Sequence, residues 1–171
     1  MKEKLADEIK SWDPEAEEVE IKSLYIKLKK PKRTEKPTRK LTTLRPKSEE
    51  VRKLFKTVEE PYFMNLDPNG SAGNHYHDRK IEVICPTSQT PIYLHLQSVQ
   101  NGDRETLQIS DNPNSDYYEE YLILPGVAHR IENPSIIPVS YLVLSNTLEK
   151  DALESEDVIP FEVIQKSKDH S

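Results

Sequence analysis

The chain has 171 residues, enough for one domain with a single core. Its 30 acidic residues outnumber 24 basic ones, and the net charge of −6 argues against a nucleic-acid binder. A single cysteine, Cys85, excludes an internal disulfide and suits a reducing cytoplasm, and no stretch resembles a signal peptide or could span a bilayer.

Residues 2–12 predict a short amphipathic helix, with Leu5, Ile9 and Trp12 on one stripe, ended by Asp13-Pro14. Residues 19–28 predict a strand. Val19, Ile21 and Tyr25 share one face, and Leu24, Ile26 and Leu28 the other, so the strand is expected to be covered on both sides, by a partner subunit in a homodimer. Residues 29–47 are basic and proline-bearing: Lys29, Lys30, Lys32, Arg33, Lys36, Arg39, Lys40, Arg45 and Lys47 meet only Glu35. The stretch reads as a solvated loop, or more sharply as a positive rim for an anionic substrate. Ser48 is a helix N-cap for residues 48–58, where Val51, Leu54, Phe55 and Val58 form one buried face.

From residue 61 onward the pattern is that of strands. Residues 61–66 are apolar, and Asp67-Pro68-Asn69-Gly70 is a turn. Strands are expected around His75 and His77, over 80–85, and over 92–97, where Ile92, Leu94 and Leu96 alternate with Tyr93, His95 and Gln97. Asn101-Gly102-Asp103 reads as a hairpin turn into 104–109. Further strands follow over 117–124, 127–132 and 138–145. Residues 149–157 form an acidic tail with a helical turn, and 158–164 a last strand on the outside. Many short strands and little helix indicate an all-β, antiparallel jelly-roll barrel. The division expected is an N-terminal extension over 1–60, packing on the barrel or a partner subunit, and a barrel with its tail over 61–171.

Four residues carry the chemistry. His75 and His77 stand at i and i+2, so on a strand both rings point to one face while Tyr76 points away. Glu82 lies five positions past His77. That odd offset calls for a turn or bulge at Asp78-Arg79-Lys80 to return it to the same face. His129 follows Pro125-Gly126-Val127-Ala128 and must arrive on a strand passing nearby. Three imidazoles and one carboxylate suit a divalent transition metal such as Zn, Fe, Mn or Ni, with positions left over for water or substrate. Asn74 and Asn133 are candidates to orient the ligands. Cys85 reads as a small buried hydrophobe.

At these residues the sequence resembles the cupin superfamily. Gly70, His75, His77 and Glu82 match its first motif, without the motif's closing glycine. Pro125, Gly126, His129 and Asn133 match the second, one residue shorter between Pro and Gly. The wording around both motifs is most similar to the C-terminal cupin domain of bifunctional capsular-polysaccharide enzymes. The resemblance runs over 61–146 and does not include a reductase domain. It implies a metal-dependent isomerase or epimerase of a nucleotide-linked keto sugar, with an anionic sugar nucleotide as small-molecule partner and a homodimer as the assembly. His95, Tyr93 and Tyr121 are the acid/base candidates, and Arg79, Lys80 and Arg130 the candidates to neutralise phosphate. The same four ligands also suit an Fe(II)-dependent dioxygenase, or a non-catalytic module that holds a small molecule.

Overall fold

A computed structural model describes residues 18–36, 39–41, 59–147 and 157–163. Among them every regular element is a β-strand, every pairing is antiparallel, and no helix is long and apolar enough to cross a membrane. The helices expected over 2–12 and 48–58, and the helical turn expected over 149–157, lie outside the described residues except for Asp157.

Among the described residues thirteen strands follow in chain order: β1 (Glu18–Ile21), β2 (Tyr25–Pro31), β3 (Arg33–Lys36), β4 (Arg39–Leu41), β5 (Glu60–Leu66), β6 (Ser71–Tyr76), β7 (Glu82–Pro86), β8 (Ile92–Ser98), β9 (Arg104–Ile109), β10 (Tyr117–Ile123), β11 (Val127–Glu132), β12 (Val139–Ser145) and β13 (Ile159–Pro160). One sheet has six strands in the order β1-β2-β10-β7-β12-β5. The second has five, β13-β6-β11-β8-β9, and β3-β4 is a separate hairpin. The two large sheets do not close into the barrel expected from sequence, since no described strand is hydrogen-bonded into both. They form a jelly-roll sandwich instead, and side chains from the two inner faces fill the space between.

That inner core holds Tyr25, Ile84, Tyr121, Ile123, Tyr141 and Val143 from the six-stranded sheet, and Ile92, Leu94, Leu96, Ile109, Val127 and Ile131 from the other. A second cluster lies on the reverse face of the six-stranded sheet, where Ile26, Leu28, Val83, Cys85 and Leu122 are all buried. Alternation explains both clusters. On β2, Tyr25 points inward while Ile26 and Leu28 point the other way. Ile26 and Leu28 are each 1% exposed within a single chain, so the two apolar faces of this segment need no second subunit.

The stretch read as one strand over 19–28 is in fact a hairpin, β1 and β2, turning at residues 22–24. These strands, placed by sequence in an N-terminal extension, are hydrogen-bonded members of the six-stranded sheet. The basic stretch that follows is not simply a loop: it contains the end of β2 and the β3–β4 hairpin. Two of its lysines are committed within the fold. Lys30 Nζ lies 2.6 Å from Glu120 Oε2 with both side chains buried. Lys32 Nζ donates to Asp111 Oδ1 and to the Asn112 carbonyl, each at 2.7 Å.

Candidate metal centre

β6 and β11 run side by side, and their pairing sets two of the imidazoles opposite one another, His129 against His75. The register then shifts, so that Arg130 opposes Gly73. The bulge needs unusual backbone: Gly73 has φ 101° and Asn74 has φ 63°. A Cβ at Gly73 would sit 2.6 Å from the carbonyl oxygen of His129, so only glycine allows this approach.

The turn expected at Asp78-Arg79-Lys80 is present, but it delivers Glu82 to a different sheet. The segment 77–81 does not fold back onto β6. It crosses from one sheet to the other, and Glu82 opens β7 in the six-stranded sheet. The carboxylate therefore approaches the histidines from across the sandwich, so parity along one strand does not apply.

The four side chains converge. One ligand atom from each of His75, His77, Glu82 and His129 lies within 4.8 Å of all the others. His129 Nε2 is 3.2 Å and His77 Nε2 3.8 Å from Glu82 Oε2. Two donors about 2.1 Å from one ion at a tetrahedral angle stand about 3.4 Å apart, so these spacings suit a shared metal. The ring centroids of His75 lie 4.8 Å from His77 and 4.7 Å from His129.

Hydrogen bonds fix which nitrogen faces the cluster. His77 Nδ1 is 2.7 Å from the Asp157 carbonyl and His129 Nδ1 is 3.3 Å from the Val127 carbonyl. A carbonyl only accepts, so in the neutral rings each Nδ1 carries the proton and each Nε2 presents a lone pair. His77 Nε2 is buried without a hydrogen-bond partner among the described residues. With both rings neutral, lone pairs on nitrogen and carboxylate oxygen face each other, so either a ring proton or a metal cation must stand between them. Three imidazoles and a carboxylate so placed could hold a divalent transition metal, a donor set that fits such an ion.

Glu82 is held for that role. Its Oε1 accepts from Lys80 Nζ at 2.9 Å and from the Tyr62 hydroxyl at 3.1 Å, which leaves Oε2 for the histidines. Burial alone would push the Glu82 carboxyl up. The hydrogen bond and charge of His129, with Lys80 and His77 beside it, reverse this and hold it well below the usual carboxylate range. Burial lowers the His77 pKa, which favours the neutral, ligating ring.

A cavity of about 300 Å³ opens beside the cluster. His75, Glu82 and His129 form one wall, and Tyr62, Met64, Ile84, Ile131, Tyr141 and Val143 supply a mostly apolar remainder. Burial pushes the Tyr141 phenol up, with the Glu82 charge adding to it, so this hydroxyl stays protonated at neutral pH.

The structure separates the acid/base candidates read from sequence from this cavity. Leu94 and Leu96 of β8 face the core, so Tyr93, His95 and Gln97 lie on the outer face of their sheet. His95 Nδ1 is 3.0 Å from Thr106 Oγ1, and its Nε2 is 3.4 Å from Glu132 Oε2. Tyr121 packs in the inner core, but its hydroxyl donates to Glu119 Oε2 at 2.8 Å and lines a smaller pocket of about 150 Å³ with Gln108 and Asp111. Of the phosphate candidates, Lys80 is buried on Glu82, Arg79 lies 3.8 Å from Asp157, and Arg130 sits by Glu132 and Ser71 on the outer face. Asn133 acts away from the metal cluster, donating to the carbonyls of Leu66, Asp67 and Ile137. Asn74 tethers the 157–163 segment, its carbonyl accepting from the Phe161 amide and its Oδ1 from the Val163 amide. Tyr62 and Tyr141 are cavity residues that sequence reasoning missed. Tyr62 alternates with Phe63 in an apolar run, and which of the two faces inward depends on where the sheet lies.

No protein-family model matches the sequence, and no curated protein sequence matches it. Several solved structures share its architecture. The capsular polysaccharide assembling protein CapF from Staphylococcus aureus aligns at TM-score 0.54 and 16% identity, over 86% of this chain and 34% of that one. This chain thus spans about a third of the CapF it matches. QdtA, a sugar 3,4-ketoisomerase from Thermoanaerobacterium thermosaccharolyticum solved with TDP, aligns at TM-score 0.59 and 14% identity, over 77% of this chain and 87% of that one. The dTDP-4-dehydrorhamnose 3,5-epimerase from Sulfolobus tokodaii aligns at TM-score 0.61 and 14% identity, over 79% and 78%. The chain has the cupin fold. Its likeness to these structures is one of architecture. Within this fold the two histidine-bearing strands belong to one sheet and the Glu82 carboxylate to the other.

Proposed function

We propose that this cupin holds a divalent transition metal on His75, His77, Glu82 and His129 and uses the adjoining cavity to isomerise or epimerise a nucleotide-linked keto sugar. The observation that carries the reading is the convergence of four ligand atoms within 4.8 Å beside a cavity of about 300 Å³, whose wall includes His75, Glu82 and His129. It is supported by solved structures of the same fold that include a sugar 3,4-ketoisomerase and a sugar 3,5-epimerase. A metal bound there supplies Lewis-acid polarisation of a carbonyl.

The chain's own residues do the rest. Moving a proton beside a ketone requires an acid and a base within reach of the substrate. Tyr141, kept protonated by burial, is placed to donate to a substrate oxygen. The Tyr62 hydroxyl donates to ionised Glu82, which leaves its oxygen lone pairs free to accept a hydrogen bond from a substrate hydroxyl in the cavity. Met64, Ile84, Ile131 and Val143 exclude water from the remainder of the cavity. A sugar nucleotide is larger than this cavity, so its sugar occupies the cavity and its nucleotide lies outside.

A second reading, a binding module without catalysis, draws on the placement of His95, Tyr93 and Tyr121 away from the cavity wall. Incubation with dTDP-4-keto-6-deoxyglucose in deuterated water separates the two. Deuterium appearing at carbons beside the ketone, seen by NMR, is the expected result. Binding without exchange would leave the non-catalytic reading. Oxygen consumption with iron in the site would point instead to a dioxygenase.

A further inference from the structure

Asp157 stands 80 positions from His77 in sequence, yet its carboxylate caps the turn that joins two of the four ligands. Its Oδ1 accepts from the backbone N–H groups of Asp78 at 2.8 Å and Arg79 at 3.0 Å, and its Oδ2 from that of Lys80 at 2.9 Å. Three successive amides therefore converge on one carboxylate that is 3% exposed. The backbone of the same residue completes the arrangement, because the Asp157 carbonyl is the acceptor for His77 Nδ1.

The segment that follows holds the other side of the site. β13 pairs with β6, setting Ile159 against Tyr76 and Pro160 against His75. The Phe161 amide donates to the Asn74 carbonyl at 2.8 Å, and the Phe161 ring meets Tyr76 edge-on at 6.1 Å. Residues 157–163 thus brace the backbone on both sides of His75 and immediately after His77.

We infer that Asp157 is a positioning residue of the metal centre, and that docking of the 157–163 segment and metal affinity are coupled through it. The inference rests on the metal-binding reading above. A charged acceptor with three short N–H bonds fixes the course of residues 78–80, and hence the crossing that delivers Glu82 opposite His77. The carbonyl fixes the tautomer and tilt of the His77 ring. Groups that orient ligands in this way typically change metal affinity about 10–100-fold when removed. Coupling is reciprocal, so a bound metal must hold the segment more firmly by the same factor.

Zinc titration by competition with a chromogenic chelator tests this, using the full-length chain, Asp157→Ala and Asp157→Asn. Tyr118→Phe serves as a control, since it removes a buried hydrogen bond to the Pro86 carbonyl far from the turn. Wild type should bind one zinc. Asp157→Ala should bind it about 10–100-fold more weakly, and Asp157→Asn, which keeps one acceptor oxygen, should fall between. The visible spectrum of the cobalt-loaded protein should shift in both Asp157 variants and stay put in Tyr118→Phe, even where the melting temperatures match. Amide exchange at Phe161 and Val163 should slow when zinc is added to wild type. If Asp157→Ala does not fold, Asp157→Asn decides. One zinc bound equally well by wild type and both variants, with unchanged cobalt spectra, overturns this inference alone. No zinc bound by wild type overturns the metal reading and this inference with it.

Discussion

Replacing Lys80 with methionine probes how the ligand carboxylate is held. Lys80 Nζ lies 2.9 Å from Glu82 Oε1, and the two side chains are only 1% and 5% exposed. Removing one member of a buried ion pair costs about 3–5 kcal/mol, because the other charge stays buried without its partner. An exposed pair is worth about 0–1 kcal/mol. For a chain of this size each kcal/mol moves Tm by about 2–4 °C, so metal-free Lys80→Met should melt about 6–20 °C below wild type. The Tyr62 hydroxyl remains on the same oxygen and places the expected loss in the lower half of that range. Urea unfolding of chelator-treated protein measures the free energy, and calorimetry the Tm. The double variant Lys80→Met with Glu82→Gln leaves no uncompensated charge. It should be more stable than the sum of the two single losses by about 1 kcal/mol or more. Zinc should restore more stability to Lys80→Met than to Glu82→Gln, since only the former keeps the carboxylate ligand. A loss below about 1 kcal/mol in Lys80→Met, with no coupling in the double variant, would refute the claim that this lysine holds Glu82 in place.

Gly73→Ala should cost at least about 1–3 kcal/mol and weaken metal binding, because its Cβ would meet the His129 carbonyl at 2.6 Å in a backbone conformation of positive φ; unchanged thermal melting and zinc affinity would contradict the role given to the bulge. Tyr141→Phe should leave metal content intact while slowing solvent-deuterium exchange into a keto-sugar substrate at least about 10²-fold, and equal exchange rates would remove Tyr141 from the proposed chemistry. Burial, the largest influence on His95, lowers its pKa below the ordinary value near 6.5. The unfolded chain therefore binds this proton first, and stability should fall as pH drops below about 6.5. His95→Gln should flatten that acid limb in urea melts collected between pH 7 and 5, and an unchanged limb would speak against it.

Much of the sandwich was legible because one face of each inner strand repeats apolar residues, as at Ile92, Leu94 and Leu96. The i,i+2 pair His75 and His77 is similarly readable, since strand geometry alone puts both rings on one side. Facing is harder to read. The polar set Tyr93, His95 and Gln97 could point into the cavity or away from it, and only the packing of Leu94 and Leu96 against the opposite sheet decides for the outer side. Glu82 was readable as a ligand candidate and so was the turn before it, but not the crossing to the other sheet, because a sheet-to-sheet crossing leaves no parity signal. The two-sided apolar strand suggested a partner subunit, and the missing information was the second cluster that buries Ile26 and Leu28 within one chain. Asp157 carries no local mark at all. It is one acid in an acidic tail, and its importance comes from a contact about 80 residues distant.

Elemental analysis of the purified protein, beside His77→Ala, His129→Ala and Cys85→Ser, tests the metal centre most directly. The account predicts one divalent transition metal per chain in wild type and in Cys85→Ser, and a sharp loss in both histidine variants. A wild-type chain without stoichiometric metal, or histidine variants that keep it in full, would contradict it.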